Sequence, residues 1–492
     1  MNNALLIGGL AAYFIALIGI SLYRRRSDTE GDYFLGGNRL PAWMLAMAFV
    51  ATWYGGNSAL VSVDEANTQG MGSWWVLGGP TIVAVVVLIF LAPVIRRVGM
   101  LSQDAIMSSR YSPGTGALLS VVMSIYMIVW GASQMVALGL FFSAFFDIAF
   151  PIAVALGIIV AIVYATIGGF RAVVLTETIQ FALLLLGLVV TMVGAIMLSG
   201  GWDVISRVAS EQRDPGYFNL FSGFWPNLTY IVSFGLAFII DGAAWQRIQA
   251  ARSPGQARRT SVSAMVYFIP LYFLVVISGI GSIGIFPEVP ENGVVATLAN
   301  EEFAPVFGLI VFIGIAAAIM STVCTTLNLS SLYMTELWDK ARGRRDSDRF
   351  KVKLGMVFTV VAAVLGFIVA VLLPSALALL ALASEFLAAG LFFPLILGFF
   401  WKRGNTVGAI ASIICGGGFI LYGFLVELGV ALPHFWEGGA TRILLGMAVS
   451  GIAYFAGSLL TRPETAKAEA FTDLARGRGV GAGAGVEGEA VR

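Results

Sequence analysis

The stretch PAWMLAMAFVATWYGGNSALVSV, residues 41–63, reads as an apolar helix interrupted halfway along. Adjacent Gly55 and Gly56, flanked by Thr52, Asn57 and Ser58, suit a helix that breaks and frees carbonyl oxygens. Glycine tolerates non-helical backbone, and unwound backbone at membrane depth is tolerated where it lines a cavity or is buried in protein. A close crossing of two helices at small residues is an alternative reading of the same pattern.

Around this stretch the composition fixes the solvent. With 58% hydrophobic and 12% charged residues, a chain of 492 residues does not fold as a water-soluble globule. A bilayer core needs about 20 apolar residues per helical crossing, and such runs recur, whereas a β-barrel would show short alternating segments. The expected spans are 4–23, 41–63, 74–95, 117–146, 152–167, 178–198, 228–244, 264–286, 305–333, 354–373, 376–400, 407–425 and 443–460. The expectation is therefore an all-α polytopic membrane protein of about thirteen transmembrane helices.

The first run has no basic region before it and ends at Arg24–Arg26, the reverse of a cleavable signal peptide, so it should persist with its N-terminus outside. With that orientation the inner side receives Arg24–Arg26, Arg39, Arg96, Arg97, Arg110, Arg171, Arg247, Arg252, Arg258, Arg259, the run from Lys340 to Lys353, Lys402, Arg403 and the tail. Arg207, Arg213 and Arg442 fall outside, a distribution that obeys the positive-inside rule. The segment after residue 462, rich in Gly, Ala and charge, is expected to be a disordered cytoplasmic tail. A net charge of +1 provides no field for nucleic acid. Cys324 and Cys415 lie in expected spans, too few and too buried for a disulfide framework or metal cluster, and the single histidine, His434, argues against a zinc site or a Ser-His relay.

Function in such a protein is sought where lipid rules are violated. Besides 51–58, Asp241 precedes Gly242 inside an apolar run, although taken alone it equally marks a helix end. Between Ala316 and Ser331, the residues Ser321, Thr322, Thr325 and Thr326 place hydroxyls on adjoining helix faces. Such hydroxyls either bond back to their own helix or serve as ligands for a hard cation. Glu177 could bind a cation, carry a proton or pair with Arg171.

These residues carry a resemblance to the sodium/solute symporter family, which includes proline, pantothenate and sugar symporters. The landmarks are Asp32-Tyr33-Phe34-Leu35-Gly36-Gly37 with Leu40; Gly168-Gly169 through Ala172-Val173 to Thr176-Glu177 and Gln180; Gln246-Arg247 with Ala250-Ala251; Ala317-Ala318-Ile319-Met320-Ser321-Thr322; and Phe393 through Trp401 to Gly408. The resemblance runs to about Leu460. It implies a LeuT-type core of two inverted five-helix repeats with discontinuous first and sixth helices. On this chain that gives an extra helix and loop over 1–40, repeats over 41–199 and 228–402 joined by an extracellular loop at 200–227, two extra helices over 403–461 and the tail 462–492.

Carried over by position, the resemblance puts a sodium site on the carbonyls of Ala51, Tyr54 and Ala318 and the hydroxyls of Ser321 and Thr322. Glu177 stands where the family usually carries Asp, and the neighbours that would complete a second cation site are Cys324 and Thr325. A thiol is a poor sodium ligand, so one sodium per cycle is expected, with Glu177 and Thr325 lining an inner ion path. The solute is placed near Trp53, Gly55, Gly56, Gln134 and Asp241, with Trp53 and Trp245 covering an apolar or cationic portion. The expected partners are sodium, a small polar organic solute and the lipid bilayer of the inner (cell) membrane, without nucleic acid, obligate protein partner, enzymatic activity or cofactor beyond the coupling ion. Proton coupling through Glu177 or Asp241, a solute sensor and a channel are the competing readings.

Overall fold

The computed structural model describes residues 3–23, 35–100, 102–343, 347–427, 429–436 and 438–478. The basic loop Arg24–Arg26, the landmark Asp32–Phe34 and the chain beyond 478 lie outside the described residues. Among the described residues, ten helices are long and apolar enough to cross a membrane, and the shorter apolar stretches Ala4–Ile20, Ala42–Trp53 and Phe150–Val163 accompany them.

In chain order the helices are α1 (Asn3–Tyr23), α2 (Ala42–Trp53), α3 (Ser62–Gln69), α4 (Trp74–Val98), α5 (Gln103–Arg110), α6 (Pro113–Phe146), α7 (Phe150–Leu198) and α8 (Trp202–Gln212). There follow α9 (Leu228–Ile239), α10 (Gly242–Gln249), α11 (Pro254–Gly281), α12 (Pro305–Arg342), α13 (Asp348–Leu372), α14 (Ala376–Phe400), α15 (Thr406–Glu427), α16 (Gly438–Leu460) and α17 (Thr465–Arg476). Their ends are written in the sequence. Ser112 and Ser253 accept from the backbone of Thr115 and Gln256, each followed by a proline in the first turn. Gly99 and Gly343 close α4 and α12 in the left-handed conformation.

α12 is the central element, packed on α6 and α7, with α2 along its flank. Small residues allow this closeness: a Cβ on Gly314 would sit 2.7 Å from the Leu183 carbonyl and 3.1 Å from the Gly187 Cα. Side chains such as Ile15, Phe90 and Leu460 stay exposed on the outer surface, as lipid contact requires.

Several expectations need correction. The loop at 200–227 contains α8, whose Ile205 and Ala209 are buried. The tail is structured over 465–476: Ala468, Phe471, Thr472 and Ala475, spaced to share one face, are buried in α17. Arg110, Arg247 and Arg442 are buried rather than loop residues. Arg110 donates to the carbonyls of Gly398, Trp401 and Gly404 at the end of α14, and Arg442 pairs with Glu385 at 2.6 Å. Cys324 is buried, but Cys415 is exposed.

The contact of α11 with α3 is tight enough to test. A Cβ on Gly279 would lie 2.2 Å from the Val63 carbonyl and 2.6 Å from the Ala66 Cβ. Gly279→Val should lower the thermal unfolding midpoint in detergent, since overpacking costs about 1–3 kcal/mol. An unchanged midpoint would show that these helices do not approach as described.

Candidate ion and solute site

The first break lies at Tyr54–Gly55. α2 ends at Trp53, Tyr54 leaves the helical region (φ −89, ψ 70), and helical structure resumes beyond Gly56 with a π-turn over Asn57–Val61. The Gly56 N–H, which in an unbroken helix would bond the Thr52 carbonyl, instead donates to Gln134 Oε1 at 2.7 Å. The Thr52 carbonyl thus needs another partner, and finds the Thr322 hydroxyl at 2.8 Å. One residue earlier, the Ala51 carbonyl accepts from Ser321 Oγ at 2.7 Å. Both hydroxyls also lie near the Ala318 carbonyl, at 2.7 Å for Ser321 and 3.3 Å for Thr322.

Five oxygen atoms therefore converge with just two hydroxyl protons between them, in a fully buried environment. Such a proton-poor cluster of hard donors has the chemistry that accommodates a desolvated alkali ion. Side-chain size enforces the approach: a Cβ on Gly55 would meet Gln134 Oε1 at 2.2 Å and Thr322 Oγ1 at 2.6 Å. Of the expected ligands, Ala51, Ala318, Ser321 and Thr322 come together here. The further carbonyl that Thr322 meets is that of Thr52 rather than that of Tyr54.

The second break separates α9 from α10 at Ile240–Asp241. Asp241 caps α10: Oδ1 accepts from the Ala244 N–H at 2.9 Å and from Trp53 Nε1 at 2.8 Å, while Oδ2 accepts from the Tyr126 hydroxyl at 3.0 Å. The freed carbonyls of Ile239 and Ile240 accept from Trp245 Nε1 and Gln103 Nε2, each at 2.8 Å. Asp241 thus joins the two breaks through Trp53, whose ring stacks on Phe238 at 4.7 Å. Trp53, Gly55, Gly56, Gln134 and Asp241 form one continuous group. Trp245 does not line it with Trp53; its indole turns back across the second break and packs 6.0 Å from Phe399.

Glu177 pairs with Arg247, not with Arg171. Arg247 Nη2 lies 2.6 and 2.9 Å from the two carboxylate oxygens, 2.8 Å from Thr52 Oγ1 and 3.0 Å from Thr325 Oγ1. Thr325 and Thr52 also donate to Glu177 Oε1, at 2.6 and 3.0 Å. The guanidinium sits 5.5 Å over the Phe170 ring, and its Nε is buried without a hydrogen-bond partner. This cluster ties α2, α7, α10 and α12 together. Sequence reasoning missed Arg247, Thr52, Tyr126 and Gln103. Arg247 was detectable, since it follows the candidate break at Asp241 by only six residues, close enough for the resumed helix to keep it buried; grouping it with loop arginines hid it.

A cavity of about 160 Å³ is lined by Leu60, Asp64, Ala137, Phe141, Gly293 and Ala296. Asp64 Oδ1 there accepts from the Val294 N–H at 2.8 Å.

Residues 33–416 match the model of the sodium:solute symporter family. Similar curated proteins include the sodium/pantothenate symporter of Escherichia coli (strain K12), 26% identical over 86% of this chain and 90% of that one. The sodium/glucose cotransporter of Vibrio parahaemolyticus is 25% identical, over 86% of this chain and 85% of the other. Among solved structures, a Na+-coupled sialic acid symporter in a substrate-bound outward-open state superposes with a TM-score of 0.75 at 20% identity, over 93% of this chain and 98% of that one. A nucleobase-cation-symport-1 family transporter in a closed conformation gives 0.54 at 14% identity, over 91% and 99%. These likenesses fix the fold as LeuT-type. With a family match across most of its length, the chain belongs to the sodium:solute symporter family, and it is a membrane-embedded, sodium-coupled secondary transporter rather than an enzyme.

Proposed function

We propose that this transporter imports a small polar organic solute together with one sodium ion per cycle, the ion held by Ala51, Ala318, Ser321 and Thr322, with the Tyr54 or Thr52 carbonyl completing the cage. The observation that carries the reading is the Ser321 hydroxyl, 2.7 Å from carbonyls on two different helices, α2 and α12. An ion taking the place of those hydrogen bonds bridges the same two helices and fixes them in register. The solute binds beside it, against Trp53, Gly55, Gly56 and Gln134, where Asp241 holds the Trp53 indole in place. Inward opening separates α2 from α12 and removes part of the oxygen cage, releasing the ion past Glu177 and Thr325. A potential of about 100 mV supplies roughly 2.3 kcal/mol per sodium charge and a tenfold gradient adds about 1.4 kcal/mol, enough for roughly several hundredfold accumulation.

A single ion is favoured because the space between Glu177, Thr52 and Thr325 is filled by the chain's own Arg247. We place about thirteen crossings in the cell (inner) membrane, N-terminus outside and C-terminus cytoplasmic. Supporting this, hydrogen bonds link Arg96 to Ala251, Gln249 to Met100 and Lys467 to Tyr111, and Lys340 pairs with Asp104, so these basic segments share one face.

Three outcomes follow from this reading. Ser321→Ala and Thr322→Ala each remove one oxygen and should raise the sodium concentration for half-maximal uptake about tenfold, a loss of about 1.4 kcal/mol in binding; unchanged sodium dependence in both would move the site elsewhere. Glu177→Gln or Arg247→Met leaves a buried charge unpaired, at a cost of about 3–5 kcal/mol, while the double substitution should recover most of the stability, read by thermal unfolding in detergent. The solute should reveal itself in a thermal-shift screen of small polar organic compounds, as a stabilisation present with sodium and reduced without it.

A further inference from the structure

The C-terminal helix α17 reaches the second break through a relay of rings. Phe471, 3% exposed, packs 5.2 Å from Phe399, and Phe399 packs 6.0 Å from Trp245, whose Nε1 bonds the freed Ile239 carbonyl. The same helix lies across α4, α5 and α14. Lys467 Nζ donates to the Tyr111 carbonyl at 3.0 Å, Glu469 faces Lys402 at 3.3 Å, and Gly477 ends the helix beside Arg97. α5 completes the arrangement, because its Gln103 holds the other freed carbonyl, that of Ile240.

A helix of 12 residues is marginal in water on its own, so α17 is helical because it is docked. Its polar ties are few, and the Lys402–Glu469 pair is half-exposed on both sides, the kind of contact that contributes little. The attachment therefore rests mainly on Phe471 and its small neighbours, and it is suited to open and close.

We infer that α17 is a strap that holds the inner side shut: Phe471, acting through Phe399 and Trp245, positions α10 and biases the transporter toward the outward-facing arrangement. This rests on the proposed transport cycle and adds to it that α10 moves when the inner side opens. Phe471 is a positioning residue here, since it touches neither the oxygen cage nor the Gln134–Asp241 group. Undocking α17 adds to the inward-open population without altering an ion ligand, so it changes sodium dependence through the conformational equilibrium.

The test uses the full chain with Cys415→Ser and a reporter thiol, Ala250→Cys, at the inner end of α10, in inside-out vesicles treated with a membrane-impermeant maleimide. In the otherwise unaltered chain, sodium should slow labelling. Phe471→Ala, and separately a stop after Arg462, should label about fivefold faster in sodium and need severalfold more sodium for half-protection. Phe471→Leu, which keeps an apolar group at the contact, should restore slow labelling and excludes general unfolding as the cause. Sodium-protected labelling that is identical with and without Phe471 or α17 overturns the strap while leaving the transport reading intact. Labelling of the unaltered chain that ignores sodium overturns the coupling reading, and the strap with it.

Discussion

One diverted hydrogen bond organises the site. Because Gln134 takes the Gly56 N–H, the helix cannot continue through Tyr54, and the carbonyls of Ala51 and Thr52 turn to α12 for partners. In a low-dielectric interior an unpaired carbonyl is expensive, so the hydroxyls of Ser321 and Thr322 must be where they are, and α12 must lie within hydrogen-bond reach of α2. That closeness in turn requires Gly55 at the break and small residues along α12. Local backbone chemistry, helix packing and ion chemistry are the same constraint seen at three scales.

The two breaks differ in how their freed groups are satisfied. At the first, the carbonyls meet hydroxyls, groups whose oxygen can itself ligate a cation through its lone pairs. At the second, Ile239, Ile240 and the start of α10 are held by Trp245, Gln103 and Asp241, side chains anchored in the surrounding packing. A break closed by fixed side chains holds no ion, but it is a joint whose position neighbouring elements can set. The first break is suited to binding, the second to transmitting position between α5, α10 and α14.

Fold class and the two interrupted helices were legible because the lipid solvent penalises glycine pairs and lone carboxylates within apolar runs, so Gly55, Gly56 and Asp241 stood out. Ser321 and Thr322 were legible through the order and spacing of family landmarks rather than through periodicity, which leaves a back-bonded hydroxyl and a ligand indistinguishable. Partners chosen across the fold were not. Glu177 has Arg171 six residues away, yet its counter-ion is Arg247, 70 residues on, because the Arg247 side chain reaches from α10 to α7 and no local pattern encodes that contact. The tail misled for a related reason: four buried residues in α17 are too weak a stripe to predict a helix that owes its structure to docking.

Charge balance gives the proposed stoichiometry a physical basis independent of resemblance. Glu177 and Arg247 neutralise one another within a bidentate contact. Asp241 accepts from an indole, a hydroxyl and a backbone amide, with no cation on it. With Asp241 ionised and no ion bound, the group of side chains at the two breaks carries one net negative charge. One sodium at the Ser321–Thr322 cluster brings it to zero; a second would leave a buried positive charge with no counter-ion, the arrangement a low-dielectric interior penalises most. On the proposed one-sodium cycle, Arg247 occupies the position of a second cation and holds four helices together, while the coupling ion is the charge that enters and leaves.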